Sequence, residues 1–194
     1  MDPIKTGNLI KTLRLELGMT QQQLADGIFV SDKAVSKWER GVGCPDASLL
    51  PLLGNILGID PATILSGELN PNESMGGNMK RLKFYVCGEC GNILTSTEEA
   101  SISCCGRKLM SLESKKAREE EKLSVAILEG DYYISSDHEM SKNNHIAFVA
   151  FLNGDTLLLR KLYPEWNLST RIPKLSRGVL YWYSTQDGLY HQYV

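Results

Sequence analysis

The side chains of this 194-residue chain best suited to chemistry are its cysteines, and four of the five lie close together: Cys87, Cys90, Cys104 and Cys105. Cys87-Gly88-Glu89-Cys90 presents two thiols across a tight turn whose backbone amides can donate to the sulfurs. Cys104-Cys105-Gly106 then adds two adjacent thiols after a 13-residue excursion. Four thiolates with neither a histidine nor an open position describe a closed tetrahedral site for one Zn²⁺ or one iron per chain, either structural or redox-active. Hydrolytic chemistry is not expected there. Cys44 stands alone between Gly43 and Pro45 with no base beside it, which is weak support for catalysis or redox sensing.

Compartment decides between metal and disulfide. The start Met1-Asp2-Pro3 lacks a charged segment followed by an apolar one, and no run approaches the ~18 apolar residues of a membrane span. The expectation is a cytoplasmic protein with no membrane partner, where thiols stay reduced and a cluster of four reads as a metal site. Lys+Arg 21 against Asp+Glu 23 gives a net charge of -2, so no global positive field points to nucleic acid. Any DNA contact must come from a local patch.

Such a patch is present near the N-terminus. Thr20 and Ser31 are suitable N-caps for two short helices joined by a tight turn. On the second helix Lys33, Lys37 and Arg40 recur at i, i+4 and i+7 along one face, while Val35 and Trp38 turn inward. That face is shaped to enter a major groove, although residues 1–68 carry six basic and eight acidic side chains.

The elements that position these groups follow from periodicity. Residues 1–68 read as helical, with Ile10, Leu13 and Leu17 at helical spacing and Gly18 as a terminator. Turn formers dominate a linker over 69–80. Residues 81–112 form a small cysteine-bearing module, too short for an apolar core of its own and so dependent on a metal staple. A charged, solvated connector spans 113–122. Residues 123–194 carry strand-like apolar bursts at 125–128, 146–152, 156–162 and 179–183, and Asn153-Gly154 is suited to a tight hairpin turn. Tyr163, Trp166, Tyr181, Trp182 and Tyr183 fit either a sandwich core or a ligand pocket.

The run from Thr20-Gln21-Gln22-Gln23-Leu24-Ala25 through Val30-Ser31-Asp32-Lys33-Ala34-Val35-Ser36-Lys37-Trp38-Glu39-Arg40-Gly41 resembles the helix-turn-helix of Cro/repressor (XRE) regulators, and 45–59 completes that family's five-helix outline. The resemblance implies that Gln21 contacts backbone or a base edge and that Ser31 and Arg40 hold phosphates. It places Asp32, Lys33, Ser36 and Lys37 at base edges, with Arg14 and Glu39 bridging the first and third helices. It implies binding to a double-stranded operator as a homodimer.

The Cys-x-x-Cys and Cys-Cys-Gly pair, with Phe84, Tyr85, Asn92 and Ile93, resembles the desulforedoxin module of desulfoferrodoxins, where one iron is held. The remainder resembles their superoxide reductase domain, an immunoglobulin-like sandwich whose iron takes four imidazoles and one thiolate. By that likeness Leu123, Ser184 and Asp187 stand where ligands are expected, and a chain with His 3 cannot supply four imidazoles. His138, His145 and Asp187 are the residues left for a vestigial second site, with no second iron expected.

The resulting fold class is multidomain α + β: an all-α five-helix domain, a rubredoxin/desulforedoxin-like metal module and an immunoglobulin-like antiparallel β-sandwich. The expected function is a sequence-specific DNA-binding transcriptional regulator with a structural or sensing metal site, rather than an enzyme. The alternative is a superoxide reductase-like enzyme or electron carrier with an appended DNA module.

Overall fold

The computed structural model describes residues 1–70 and 77–194, so half of the expected 69–80 linker, residues 71–76, lies outside the described residues. The chain divides into two compact units, Met1–Glu73 and Ser74–Val194.

In the first unit, α1 (Pro3–Glu16), α2 (Gln21–Gly27), α3 (Asp32–Glu39), α4 (Leu50–Leu57) and α5 (Pro61–Ser66) surround a core that includes Ile10, Leu24, Val35, Leu53 and Ile64. Local chemistry sets the helix ends. Asp2 caps α1, with Pro3 opening the helix. Thr20 and Gln23 form a reciprocal capping box on α2, and Ser31 Oγ accepts from the Ala34 N–H at the start of α3. Gly58 and Gly67 end α4 and α5 in the left-handed conformation.

Two features fix α3 against α1. Gly7 lies so close to α3 that a Cβ there would fall 1.9 Å from the carbonyl oxygen of Trp38. Beside it, Arg14 Nε donates to Glu39 Oε1 at 2.6 Å and a second guanidinium nitrogen reaches Glu39 Oε2 at 3.0 Å, with both side chains buried. Gln21 Nε2 adds a third donor to that carboxylate at 2.7 Å. Burial alone would raise the Glu39 carboxyl, but the bonds from Arg14 and Gln21 outweigh it and hold it below its usual value.

The second unit is built on a five-stranded sheet. β1 (Lys83–Val86) pairs with β2 (Ile93–Ser96), and β3 (Ile102–Cys104) with β4 (Arg107–Leu109), as two small hairpins. β5 (Ser114–Lys116), β6 (Ser124–Leu128), β7 (Asp131–Ser135), β8 (Ile146–Asn153), β9 (Thr156–Lys161), β10 (Ser169–Pro173), β11 (Val179–Ser184) and β12 (Gly188–Tyr193) make the sandwich. The orders are β5-β12-β11-β8-β9 and β10-β7-β6.

All of these pairs are antiparallel except β5 with β12. That strand lies inside the run expected to be a solvated connector. Its side chains are exposed, so the charges do point to water, but its backbone completes the sheet edge. The β8–β9 register pairs Asn153 with Thr156, which makes the connecting residues Gly154-Asp155 rather than Asn153-Gly154. Gly154 takes a φ of 55° there.

Both faces of the large sheet are covered. On one, Val149, Phe151, Leu180 and Trp182 meet Tyr132, Ile134 and Ile172 of the three-stranded sheet. On the other, Phe84 of β1 stacks on Phe148 at 5.3 Å and lies as close to Tyr181. The cysteine-bearing hairpins are thus not left without a core, because Phe84 borrows one from the sandwich. Buried Gln192 spans the two sheets, accepting from the Leu123 N–H at 2.9 Å and donating to the Leu123 carbonyl at 3.0 Å.

Glu39→Ala leaves the Arg14 guanidinium buried without its partner and should destabilise the first unit by ~3–5 kcal/mol, measured by urea unfolding. In the native chain the lowered Glu39 value gives a stabilisation present above about pH 4.5, the ordinary value, and lost as pH falls below that and through the lowered value of the folded state. Urea midpoints should therefore fall on acidification more steeply in the wild type than in Glu39→Ala.

Candidate metal centre and nucleic-acid interface

The four predicted cysteines converge. Cys87 ends its strand and turns through Gly91, whose φ is 66° and whose N–H donates to the Cys87 carbonyl at 2.9 Å. Cys104 is the last residue of β3 and Cys105 sits in the turn to β4, where it takes a φ of 51° and Gly106 one of 75°. Their four sulfurs all lie within 4.8 Å of one another, with Cys90 and Cys104 at 3.5 Å. Four ligands ~2.3 Å from a tetrahedral ion stand nearly 4 Å apart, so this cage fits one Zn²⁺ or iron ion with little adjustment.

Its electrostatics also suit a cation. Amide N–H groups of Cys90 and Glu89 bring the Cys87 thiol down to about 7. Crowding by Cys90, Cys87 and Cys104 pushes Cys105 up to about 12, and Cys90 raises Cys104. Four thiolates this close repel one another, and a bound dication offsets that repulsion. Asn92 Nδ2 points at Cys104 Sγ from 3.8 Å. Lys161 Nζ, from β9, donates to the Gly91 carbonyl at 3.3 Å and ties the first cysteine turn to the sandwich.

On α3, Asp32, Lys33 and Lys37 are exposed and Ser36 is half-buried, while Val35 and Trp38 are in the core. Ser31 caps this helix, and Arg40, exposed at its end, donates to the Ser36 carbonyl at 3.2 Å. Asp32 Oδ1 accepts from the Lys33 N–H at 2.7 Å. Gln21, at the start of α2, donates its amide to Glu39 Oε2 at 2.7 Å, which draws it toward the α1–α3 junction.

The remaining predicted residues do not assemble into one ligand set. Leu123, His138, Ser184 and Asp187 line a common cavity of about 810 Å³, but His145 is not part of its wall. His138 Nδ1 already accepts from the Met140 N–H at 3.1 Å, and Asp187 Oδ2 accepts from Ser184 Oγ at 2.8 Å. Among the described residues, the four cysteines are the group of three or more candidate ligands that gathers closely enough for an ion. The aromatic residues separate as well: Trp182 is buried, whereas Tyr163 and Trp166 are exposed on the surface.

Residues 10–64 match the helix-turn-helix family model HTH_3, the span that contains the capped pair α2–α3. The N-terminal unit is a helix-turn-helix domain. A curated relative, the HTH-type transcriptional activator BcrR of Enterococcus faecalis, is 34% identical over 83 residues, 41% of this chain. The chain spans about 40% of that relative's length. Among solved structures, the superoxide reductase of Treponema pallidum overlays with a TM-score of 0.50 at 13% identity, covering 57% of this chain and 97% of that one. The β-rich unit shares that fold.

Within the helix-turn-helix domain, one residue escaped the sequence reading. Phe29, in the turn between α2 and α3, has a φ of 59° and is 87% exposed. Its left-handed backbone is set by the turn between two packed helices and left no signal in the sequence.

For the metal centre, the expected result is one ion per chain by elemental analysis, abolished in Cys104→Ser. Because binding must displace protons from Cys104 and Cys105 already at neutral pH and from Cys87 as well below about 7, retention should fall steadily on acidification and more steeply below that point, read by transfer of the ion to a chromophoric chelator.

Proposed function

We propose that the chain is a sequence-specific DNA-binding transcriptional regulator acting in the cytoplasm as a homodimer, with one Zn²⁺ or iron ion held by Cys87, Cys90, Cys104 and Cys105. The observation that carries this reading is the exposed face of α3 within the matched helix-turn-helix span. Lysine donates to guanine O6 and N7, and aspartate accepts from cytosine N4, so Lys33, Lys37 and Asp32 supply direct readout. Ser36 adds a hydroxyl to the same face. Ser31 and Arg40 supply phosphate contacts, and Gln21 contacts backbone or a base edge at the start of α2. Activity as a regulator in the BcrR relative accords with this assignment.

The ion would supply a closed thiolate centre that staples the two cysteine turns, and its loss or oxidation would loosen them and change operator affinity. A superoxide reductase-like enzyme is the weaker reading. Leu123 brings hydrocarbon to the cavity wall, and the Ser184 hydroxyl is already bonded to Asp187. Leucine has no donor atom, and a serine hydroxyl, hardly ever ionised at neutral pH, is a poor substitute for a thiolate.

With an operator identified by selection from random duplexes, Lys33→Ala and Lys37→Ala should each weaken binding by ~1–3 kcal/mol. Equal affinity of wild type and both variants, read by fluorescence titration at fixed salt, would remove α3 as the reader. Comparing metal-loaded and chelated protein on the same duplex tests the switch: a difference in affinity supports it, and equal affinity leaves the metal a structural staple.

A further inference from the structure

Sheet edges expose unpaired N–H and C=O groups, and proteins guard them with lysine, arginine, proline or very short strands. Three of the four edges of the sandwich carry such guards. β5 is three residues long with Lys115 and Lys116, β9 bears Arg160 and Lys161, and β10 bears Arg171 and Pro173. The fourth edge, β6, reads Ser124-Val125-Ala126-Ile127-Leu128 and has none. Among the described residues it pairs with β7 on one side only. Ala126 is exposed, Ile127 is 58% exposed and Leu128 40%.

The geometry points to β6 as the interface on which a second copy of this chain docks, the two β6 strands pairing antiparallel across a two-fold axis at Ala126. This rests on the homodimer in the function proposed above. The strand is complementary to itself. Side chains alternate between faces with a period of two, so opposed residues share a face only when Ala126 lies opposite its own copy or at an even shift from it. All five residues overlap only with Ala126 at the axis. Val125 then meets Ile127 of the copy on the face that continues the sandwich core, which covers the exposed end of that core.

The flanking charges match the same pairing. Lys122 precedes β6 and Glu129 follows it; in this register Lys122 falls opposite Gly130 of the copy, one residue from its Glu129, so opposite charges meet diagonally at each end of the paired strands. Within one chain these two are joined to Glu119 at 2.6 Å and Arg171 at 2.8 Å, exposed pairs that can share a further partner. A parallel pairing would set like charges together. An unrelated extended segment would match the backbone but has no reason to carry the opposite charges at both ends.

The test uses the intact chain in analytical ultracentrifugation. Ala126→Lys and Ile127→Lys place the missing guard on β6 at exposed positions, while Leu159→Lys does the same on β9 as a control. The expected result is a wild-type dimer, an unchanged control, and β6 variants whose dimer dissociation constant rises about tenfold or more with melting curves still cooperative. Ala126→Cys gives a second readout free of folding losses. Residues opposite each other lie ~4.5–5.5 Å apart, within disulfide reach, so metal-loaded Ala126→Cys in a Cys44→Ser background should cross-link to itself on mild oxidation. Ser124→Cys, opposite Leu128 of the copy, should not.

Dimers that persist in both lysine variants, or self-cross-linking of Ser124→Cys but not Ala126→Cys, would overturn the β6 interface. A monomeric wild type would overturn it too and leave the edge to another partner. Binding to a duplex holding a single half-site needs no dimer, so that titration judges the DNA-binding reading separately.

Discussion

The large sheet of the C-terminal unit has two apolar faces, and neither can be left to water. One is closed by the three-stranded sheet and the other by the β1 hairpin with its Phe84 ring against Phe148 and Tyr181. Everything about the cysteine cluster follows from the second closure. Once β1 is seated by Phe84, the chain leaves it at Cys87, and the Gly91 turn is held from the sandwich by Lys161. Two short hairpins with almost no interior of their own acquire a fixed platform. The four sulfurs then need only local turns to face one another.

The helix-turn-helix domain solves a comparable problem with an ion pair. α2 and α3 are seven and eight residues long, too short to be stable alone. Their orientation comes from Val35 and Trp38 in the core and from Glu39, which gathers Arg14 and Gln21 at one buried carboxylate. Such a pair gives direction as well as cohesion, because an uncompensated charge in that position costs more than a lost apolar contact. The polar end of α3 is thereby fixed while its lysines stay free on the opposite side.

Much of this was legible in the sequence because it depends on short-range rules. The caps Thr20 and Ser31, the terminator Gly18, the Arg14–Glu39 bridge and the cysteine spacing all act over a few residues or follow from a family pattern. What was not legible depends on distant partners. β7, β10 and β12 lack long apolar runs, and polar or aromatic residues such as Tyr133, Arg171 and His191 alternate with buried ones, so their strand character comes from register with neighbours. β5 is charged at every position but its first and is a strand only because β12 offers a backbone edge. The bond from Gln21 to Glu39 was not legible either, because nothing local reveals that Glu39 lies within its reach. The cavity beside Leu123, His138, Ser184 and Asp187 could be placed by family likeness, but the absence of His145 from its wall could not.

Gly7 has a further consequence for how this chain can vary. With a Cβ at that position lying 1.9 Å from a carbonyl oxygen of α3, no other residue fits unless the two helices part. A substitution there would tilt α3 without changing any residue on its exposed face. The tolerance of the domain to mutation is therefore asymmetric. The solvent face of α3 can drift among polar residues and acquire new preferences with the scaffold intact, whereas a one-methyl change on the face of α1 that meets α3 would disturb every contact α3 makes at once.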